Sequence, residues 1–123
     1  MKTKFYLFTQ NNSEGYFIRD NGLGVDANMF IEARSEDEAF IIYHSIEESY
    51  GEADFNEYCD CCGWRWDKEV SDIYDDIPDW KLSDRSSSII MLSGKIIRIR
   101  EDEKEESLMT YHDTDKLKTT CLI

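Results

Sequence analysis

Three of the four cysteines in this chain fall within four positions, at Cys59, Cys61 and Cys62, and Gly63 follows at once. Cys59 and Cys62 have the C-x-x-C spacing, which lets one tight turn direct two thiolates at a single point. Gly63 can take a positive φ, and it leaves room for backbone N–H groups to point at the sulfurs. The cluster therefore predicts a zinc ion in a closed tetrahedral site, with a folding role rather than a chemical one.

The complete ligand set stays open on spacing alone. Cys59 and Cys62 are the first candidates, whereas Cys61 is either a third ligand or a small buried residue inside the turn. His44 ranks first for a further position, although an ordinary packed or surface histidine is the alternative. The remaining candidates, ranked lower, are Cys121, His112, Asp54 and Asp60.

The ends and apolar runs of the chain predict its compartment. The N-terminus lacks the apolar core and cleavage site of a signal peptide, and no apolar run approaches the roughly 18 residues of a membrane span. We therefore expect no membrane association and a location in the cytoplasm, where thiols stay reduced and clustered cysteines indicate metal ligands.

The negative charge is concentrated in the middle of the chain. The formal net charge is −13, and residues 35–85 hold sixteen acids against four bases. Such a surface repels nucleic acid and anionic membranes and attracts basic protein surfaces. We expect a basic protein as the partner, with no direct nucleic-acid binding. Solubility is the alternative use of the charge, and the sequence does not fix the oligomeric state.

Hydrophobic patterning predicts an α+β fold, with a mostly antiparallel, twisted sheet and one main helix. Strands are predicted over 4–10, 16–18 and 28–33, the first two as a hairpin. Two further strands, over 88–92 and 95–100, are expected to be joined by the two-residue turn Ser93-Gly94.

Local chemistry sets both ends of the predicted helix. Ser35 and Glu38 form a capping box, and Gly51 should end the helix after Tyr50. The residues of its apolar face, which should lie on the sheet, are Ala39, Ile42, Tyr43, Ile46 and Tyr50.

One domain is predicted over residues 1–123. Residues 1–34 supply strands, 35–50 the helix, 51–85 an irregular acidic insertion pinned by zinc, and 86–123 the C-terminal hairpins, the last over 107–122.

Two aromatic residues follow the cysteine cluster. Trp64 and Trp66 alternate around Arg65, which would place both rings on one face of an extended segment. They are either exposed anchors for a partner or, as we favour, a small core packed over the zinc turn.

The chain offers little sign of catalysis. It lacks the metalloprotease, serine-hydrolase, phosphate-loop and zinc-deaminase motifs, and its two histidines supply few general bases near neutral pH. We predict that the protein is not an enzyme. A small zinc hydrolase is the less favoured alternative.

Three blocks of sequence carry a resemblance to known proteins. They are Phe8-Thr9-Gln10-Asn11-Asn12-Ser13-x-Gly15, Phe30-Ile31-Glu32-Ala33 and Cys59-x-Cys61-Cys62-Gly63-x-Arg65-Trp66. In these blocks the chain resembles a family of small phage-encoded proteins, and the resemblance implies zinc bound by Cys59, Cys61 and Cys62. Proteins with this pattern often carry a further cysteine just upstream of the cluster, where this chain has Ala53-Asp54, and His44 therefore gains weight as the fourth ligand.

The size, acidity and metal turn also resemble those of anti-CRISPR inhibitors of type II-A Cas9 carried by streptococcal prophages. The function that this resemblance implies is stoichiometric binding to Cas9, which blocks nucleic-acid loading or cleavage. Cas9 holds its guide–target duplex in a positively charged channel, so an acidic protein has a surface to dock on. An acidic adaptor that binds another basic host protein is the alternative.

Overall fold

A computed structural model describes residues 2–78 and 86–99 of the chain. Within these ranges the fold is α+β, as predicted, with one main helix, a five-stranded sheet and a separate two-stranded sheet. The strands are β1 (Lys4–Thr9), β2 (Asn28–Ala33), β3 (Tyr58–Cys59), β4 (Gly63–Trp64), β5 (Asp72–Tyr74), β6 (Ser87–Ile90) and β7 (Ile96–Ile99), and the helices are α1 (Glu36–Tyr50), α2 (Glu52–Phe55) and a 3₁₀ turn (Ser13–Gly15).

The main sheet has the strand order β5-β1-β2-β6-β7. Three of its four strand pairs are antiparallel, and β2 and β6 run parallel. A parallel pair needs a long crossover, and the connection from β2 to β6 contains α1 and the cysteine region. The prediction of a mostly antiparallel sheet is confirmed.

The predicted strand over 16–18 is wrong, because β1 pairs with β2 instead. Distant side chains, and not a partner strand, form hydrogen bonds with the backbone of residues 16–18. The Gln10 amide accepts from the Ile18 N–H at 3.0 Å and donates to the Ile18 carbonyl at 2.9 Å. The Tyr16 carbonyl accepts from the Arg65 guanidinium at 2.8 Å. The segment is therefore a loop fastened to distant side chains.

Helix α1 begins and ends where its local chemistry predicts. The Ser35 hydroxyl accepts from the Glu38 N–H at 3.1 Å, and Gly51 ends the helix with φ of 116°. The Glu38 carboxylate accepts from the Arg34 N–H at 2.7 Å, one residue before the partner that a standard capping box uses. Its hydrogen bond with the Arg34 side chain lowers the pKa of Glu38 to about 2.

The main core lies between α1 and one face of the sheet. Ala39, Tyr43 and Ile46 are buried, and the Tyr43 ring stacks on Phe8 with ring centroids 4.6 Å apart. The opposite face of the sheet carries a second apolar cluster of Phe5, Phe30, Ile89 and Ile97. Both faces of the sheet therefore have buried apolar residues.

The described part of the acidic insertion, residues 51–78, has more secondary structure than its composition predicts. It contains α2 and the β3–β4 hairpin, and β5 joins the edge of the main sheet beside β1. The sequence did not predict strand β5, because this strand is short and begins with Asp72. In the described ranges, no helix combines the length and apolarity needed to cross a membrane.

The prediction that Trp64 and Trp66 form one small core is wrong for Trp64. Trp66 is 1% exposed and stacks on Phe55 in the main core, with ring centroids 4.9 Å apart, whereas Trp64 is 46% exposed. The backbone bends at Arg65, so the alternation expected for an extended segment is lost.

The predicted β6–β7 hairpin is confirmed, but its turn has three residues. The Met91 N–H donates to the Lys95 carbonyl at 2.8 Å, and Gly94 takes φ of 100°. A turn of this length with a glycine of positive φ is a common alternative to the predicted two-residue turn. The predicted hairpin over 107–122 lies outside the described residues.

The two tryptophans provide a matched test of the core. Trp66→Ala should lower the free energy of unfolding by about 3–5 kcal/mol, because a fully buried ring leaves a cavity. Trp64→Ala should lower it by about 1 kcal/mol or less, since half of that ring already faces water. Urea denaturation followed by circular dichroism measures both, and equal losses would contradict this assignment of core and surface.

Candidate metal centre

The three clustered cysteines lie at the tip of the β3–β4 hairpin. Cys59 pairs with Gly63, and the loop between them consists of Asp60, Cys61 and Cys62. Gly63 takes φ of 80°, as the sequence predicts, and a Cβ added there would meet nothing within 4 Å. The glycine is therefore required by the backbone conformation and not by lack of space.

The hairpin brings the three sulfurs close enough to share one ion. Cys59 Sγ lies 3.3 Å from Cys61 Sγ, which lies 3.7 Å from Cys62 Sγ, and all three sulfurs lie within 4.8 Å of one another. In a tetrahedral site with Zn–S bonds of about 2.3 Å, neighbouring sulfurs are about 3.8 Å apart. Cys61 is exposed, so it is not the small buried residue that the sequence left as an alternative.

The thiols of Cys59 and Cys61 differ in acidity because they are hydrogen-bonded to each other. The pKa of Cys59 is lowered by a hydrogen bond from the Cys61 side chain and then by the backbone N–H groups of Cys61 and Cys62. The pKa of Cys61 rises to about 11, mainly because its thiol is hydrogen-bonded to Cys59 and also because it is hydrogen-bonded to Cys62. Cys59 therefore ionises more readily than Cys61, and an ion that binds the Cys61 sulfur must displace its proton.

The structure does not bring His44 into this group. The metal-ligand group found in the described residues consists of Cys59, Cys61 and Cys62. His44 lies on α1 with its side chain 64% exposed, and its Nδ1 is 3.0 Å from Glu47 Oε1. The fourth ligand stays open.

The other candidate ligands have different positions. Asp60 is exposed in the same loop as the thiols, and Asp54 is exposed on α2. Cys121 and His112 lie outside the described residues.

The base of the hairpin is held by the loop that follows β1. The Asn11 side-chain amide donates to the Trp64 carbonyl at 2.9 Å and to the Cys62 carbonyl at 3.4 Å. The Asn11 backbone N–H donates to the Arg65 carbonyl at 2.8 Å. One asparagine therefore fixes the strand that leads out of the cysteine turn.

Arg65 is buried at the junction between the base of the hairpin and the loop over 10–16. Its side chain is fully buried, and its guanidinium donates to the carbonyls of Tyr16 at 2.8 Å and Ser13 at 3.2 Å, and to Gln10 Oε1 at 3.3 Å. The carboxylate of Glu57 lies 3.6 Å away, and the Tyr16 ring packs with its centroid 4.8 Å from the guanidinium carbon. Arg65 therefore joins the hairpin to the loop over 10–16.

Sequence reasoning missed this role of Arg65. One signal was available, since Arg65 is the first Lys or Arg after Arg34, at the end of a long acidic stretch. A single base in such a stretch is consistent with a buried guanidinium that is hydrogen-bonded to carbonyl groups. Pairing it with particular acceptors required the fold, because Gln10 and Ser13 are more than fifty residues away in the chain.

A family described as Domain of unknown function (DUF7296) matches residues 3–117. The chain belongs to the DUF7296 family. No curated protein and no solved structure matches it. The match spans both halves of the junction, the loop over 10–16 and the cysteine hairpin, so the DUF7296 domain includes the candidate metal centre and its support.

The buried guanidinium is tested by a conservative substitution. Arg65→Lys should lower the free energy of unfolding by about 2–4 kcal/mol, because an ammonium cannot reach all the acceptors that the planar fork serves. Arg34→Lys is the matched control, and because its pair with Glu38 is exposed, this variant should be nearly as stable as the natural chain. Chemical denaturation measures both variants, and an Arg65→Lys protein as stable as the control would contradict the role assigned to Arg65.

Proposed function

We propose that this DUF7296 protein is a non-catalytic binding protein with a structural zinc ion. Zinc on the thiolates of Cys59, Cys61 and Cys62 fixes the tip of the hairpin, and the acidic surface docks on a basic host protein. The observation that carries the proposal is the convergence of three thiols on one short, glycine-ended loop.

The donor set supports zinc over other common ions. Thiolates are soft ligands that select zinc, copper(I) or iron–sulfur clusters, whereas calcium and magnesium take oxygen ligands. The backbone N–H groups of Cys61 and Cys62 help to lower the pKa of Cys59, which favours its thiolate form. This arrangement supports a structural site in which the turn supplies both ligands and hydrogen bonds to a ligand.

Metal analysis tests the zinc centre. We expect about one zinc per chain in protein purified under reducing conditions. Cobalt(II) should substitute for it and give thiolate charge-transfer bands. Cys59→Ser, Cys61→Ser and Cys62→Ser should each weaken binding by more than about 100-fold, since even outer partners of a ligand contribute 10- to 100-fold.

The matched control is His44→Ala, which should keep the ion because His44 bonds to Glu47 on α1. Cys121→Ser and His112→Ala then decide whether either residue supplies the fourth ligand. A reduced protein that binds neither zinc nor cobalt would contradict the proposal.

The described surface supports a basic partner. None of the fourteen acids in residues 35–78 is buried, and the two bases in this range are Arg65 and Lys68. Arg65 is fully buried, so Lys68 is the one cation of this range that faces solvent. A surface of this charge steers basic proteins towards it and raises the rate of association.

The resemblance of the sequence to anti-CRISPR proteins adds a specific partner to this proposal, type II-A Cas9 in the host cytoplasm. The acidic surface would occupy the positively charged channel that receives the nucleic acid. Docking alone would then prevent loading or cleavage, with no covalent chemistry required of the inhibitor.

A cleavage assay tests the Cas9 proposal. Zinc-loaded protein at an equimolar ratio should abolish DNA cleavage by a type II-A Cas9, and added salt should weaken the inhibition because charge drives the encounter. Bovine serum albumin, another acidic protein, is the control for non-specific charge effects. Unimpaired cleavage at tenfold excess over several type II-A Cas9 proteins would remove this partner and leave the proposal of another basic host protein.

A further inference from the structure

Two large aromatic side chains are exposed side by side on the cysteine hairpin. Tyr58 on β3 is 57% exposed and Trp64 on β4 is 46% exposed. They are directly opposite each other across the two strands, and their rings meet edge to face with centroids 5.1 Å apart. The pair lies between the thiols at the tip and the Arg65 junction at the base.

The pair is held in place by the hairpin that carries it. The Trp64 carbonyl accepts from Asn11, and the next residue is the buried Arg65. A rigid aromatic pair loses little conformational freedom when it is covered, so more of its contact energy remains as affinity. Tryptophan and tyrosine are also the side chains most enriched among energetically important interface residues.

The charge around the pair favours a cationic occupant. Residues 52–69 hold six acids and two bases, and one of the two bases is the buried Arg65. The other is Lys68, whose ammonium lies 5.7 Å from the centroid of the Trp64 ring. The Trp64 ring therefore already lies beside one cation, and the excess of acids in residues 52–69 favours the approach of another.

We infer that the Tyr58–Trp64 pair is the docking surface for an arginine-rich segment of a protein partner. A guanidinium plane stacks on aromatic faces and also pairs with carboxylates through two hydrogen bonds, which an ammonium does not do. The inference rests on the proposed function, because it assigns the place where the acidic protein holds its basic partner.

Binding of a fluorescein-labelled nona-arginine peptide to the zinc-loaded full chain tests this surface. Fluorescence anisotropy at low salt should show binding that Trp64→Ala and Tyr58→Ala each weaken by roughly five- to tenfold, the loss of one well-placed cation–π partner. Trp64→Phe keeps an aromatic ring and should retain most of the affinity. Circular dichroism should show that all three variants stay folded.

The matched control is Leu92→Ala, which removes an exposed apolar side chain at the other end of the sheet. The Leu92 N–H donates to Glu32, which pairs with Phe5 near the start of β1, whereas the hairpin is bonded to Asn11 beyond the end of β1. This variant should bind the peptide within about twofold of the natural chain, since surface changes away from a contact have small effects.

Three results would overturn the inference in distinguishable ways. Peptide binding that survives Trp64→Ala and Tyr58→Ala unchanged would remove this docking surface and leave the acidic binding protein intact. Absence of any peptide binding at low salt would remove the docking surface and the proposed function together. Preference for a nine-nucleotide oligothymidine over the peptide would show that the rings stack on bases instead.

Discussion

The architecture of the acidic insertion depends on one buried cation. A charged side chain taken out of water is strongly destabilising unless it is paired and hydrogen-bonded. Arg65 meets that requirement with acceptors from Gln10, Ser13 and Tyr16, and with the nearby carboxylate of Glu57. Because these groups come from separate parts of the chain, one guanidinium holds the β3–β4 hairpin against the loop that follows β1.

This arrangement separates the tip of the hairpin from its base. The thiols lie at the exposed tip, whereas the base is held by Asn11, Arg65 and the fully packed Trp66. Sequence reasoning assigned the pinning of the whole insertion to the metal. The hydrogen bonds described above show that protein groups hold most of the insertion in place. An ion would act on the smaller region from Cys59 to Cys62, where it would set the shape of the loop. With an ion bound at the tip, the exposed Tyr58–Trp64 pair would lie between two fixed parts of the hairpin.

The sequence predicted best the parts that depend on near neighbours. Ser35 and Gly51 set the ends of α1 through bonds and backbone angles within one turn, and the apolar pattern of β2 gave its bounds to the residue. The three thiols could also be grouped, because one short loop contains them. The failures arise from distant partners: Gln10 satisfies the backbone at Ile18, and the bend at Arg65 sends Trp64 and Trp66 to opposite environments. No pattern among neighbouring residues predicts these contacts.

Amide hydrogen exchange on chelated, reduced protein tests most directly whether protein contacts, and not the ion, hold the base of the hairpin. The Asn11 N–H bonds to the Arg65 carbonyl and the Arg65 N–H to the Glu57 carbonyl, at 2.8 Å and 3.0 Å. These two amides should stay as protected as those of the buried strand β2, while the amides of Cys61 and Cys62 exchange rapidly. If the amides of Asn11 and Arg65 lose protection together with the tip when the metal is removed, the ion holds the insertion and the role assigned to Arg65 is wrong.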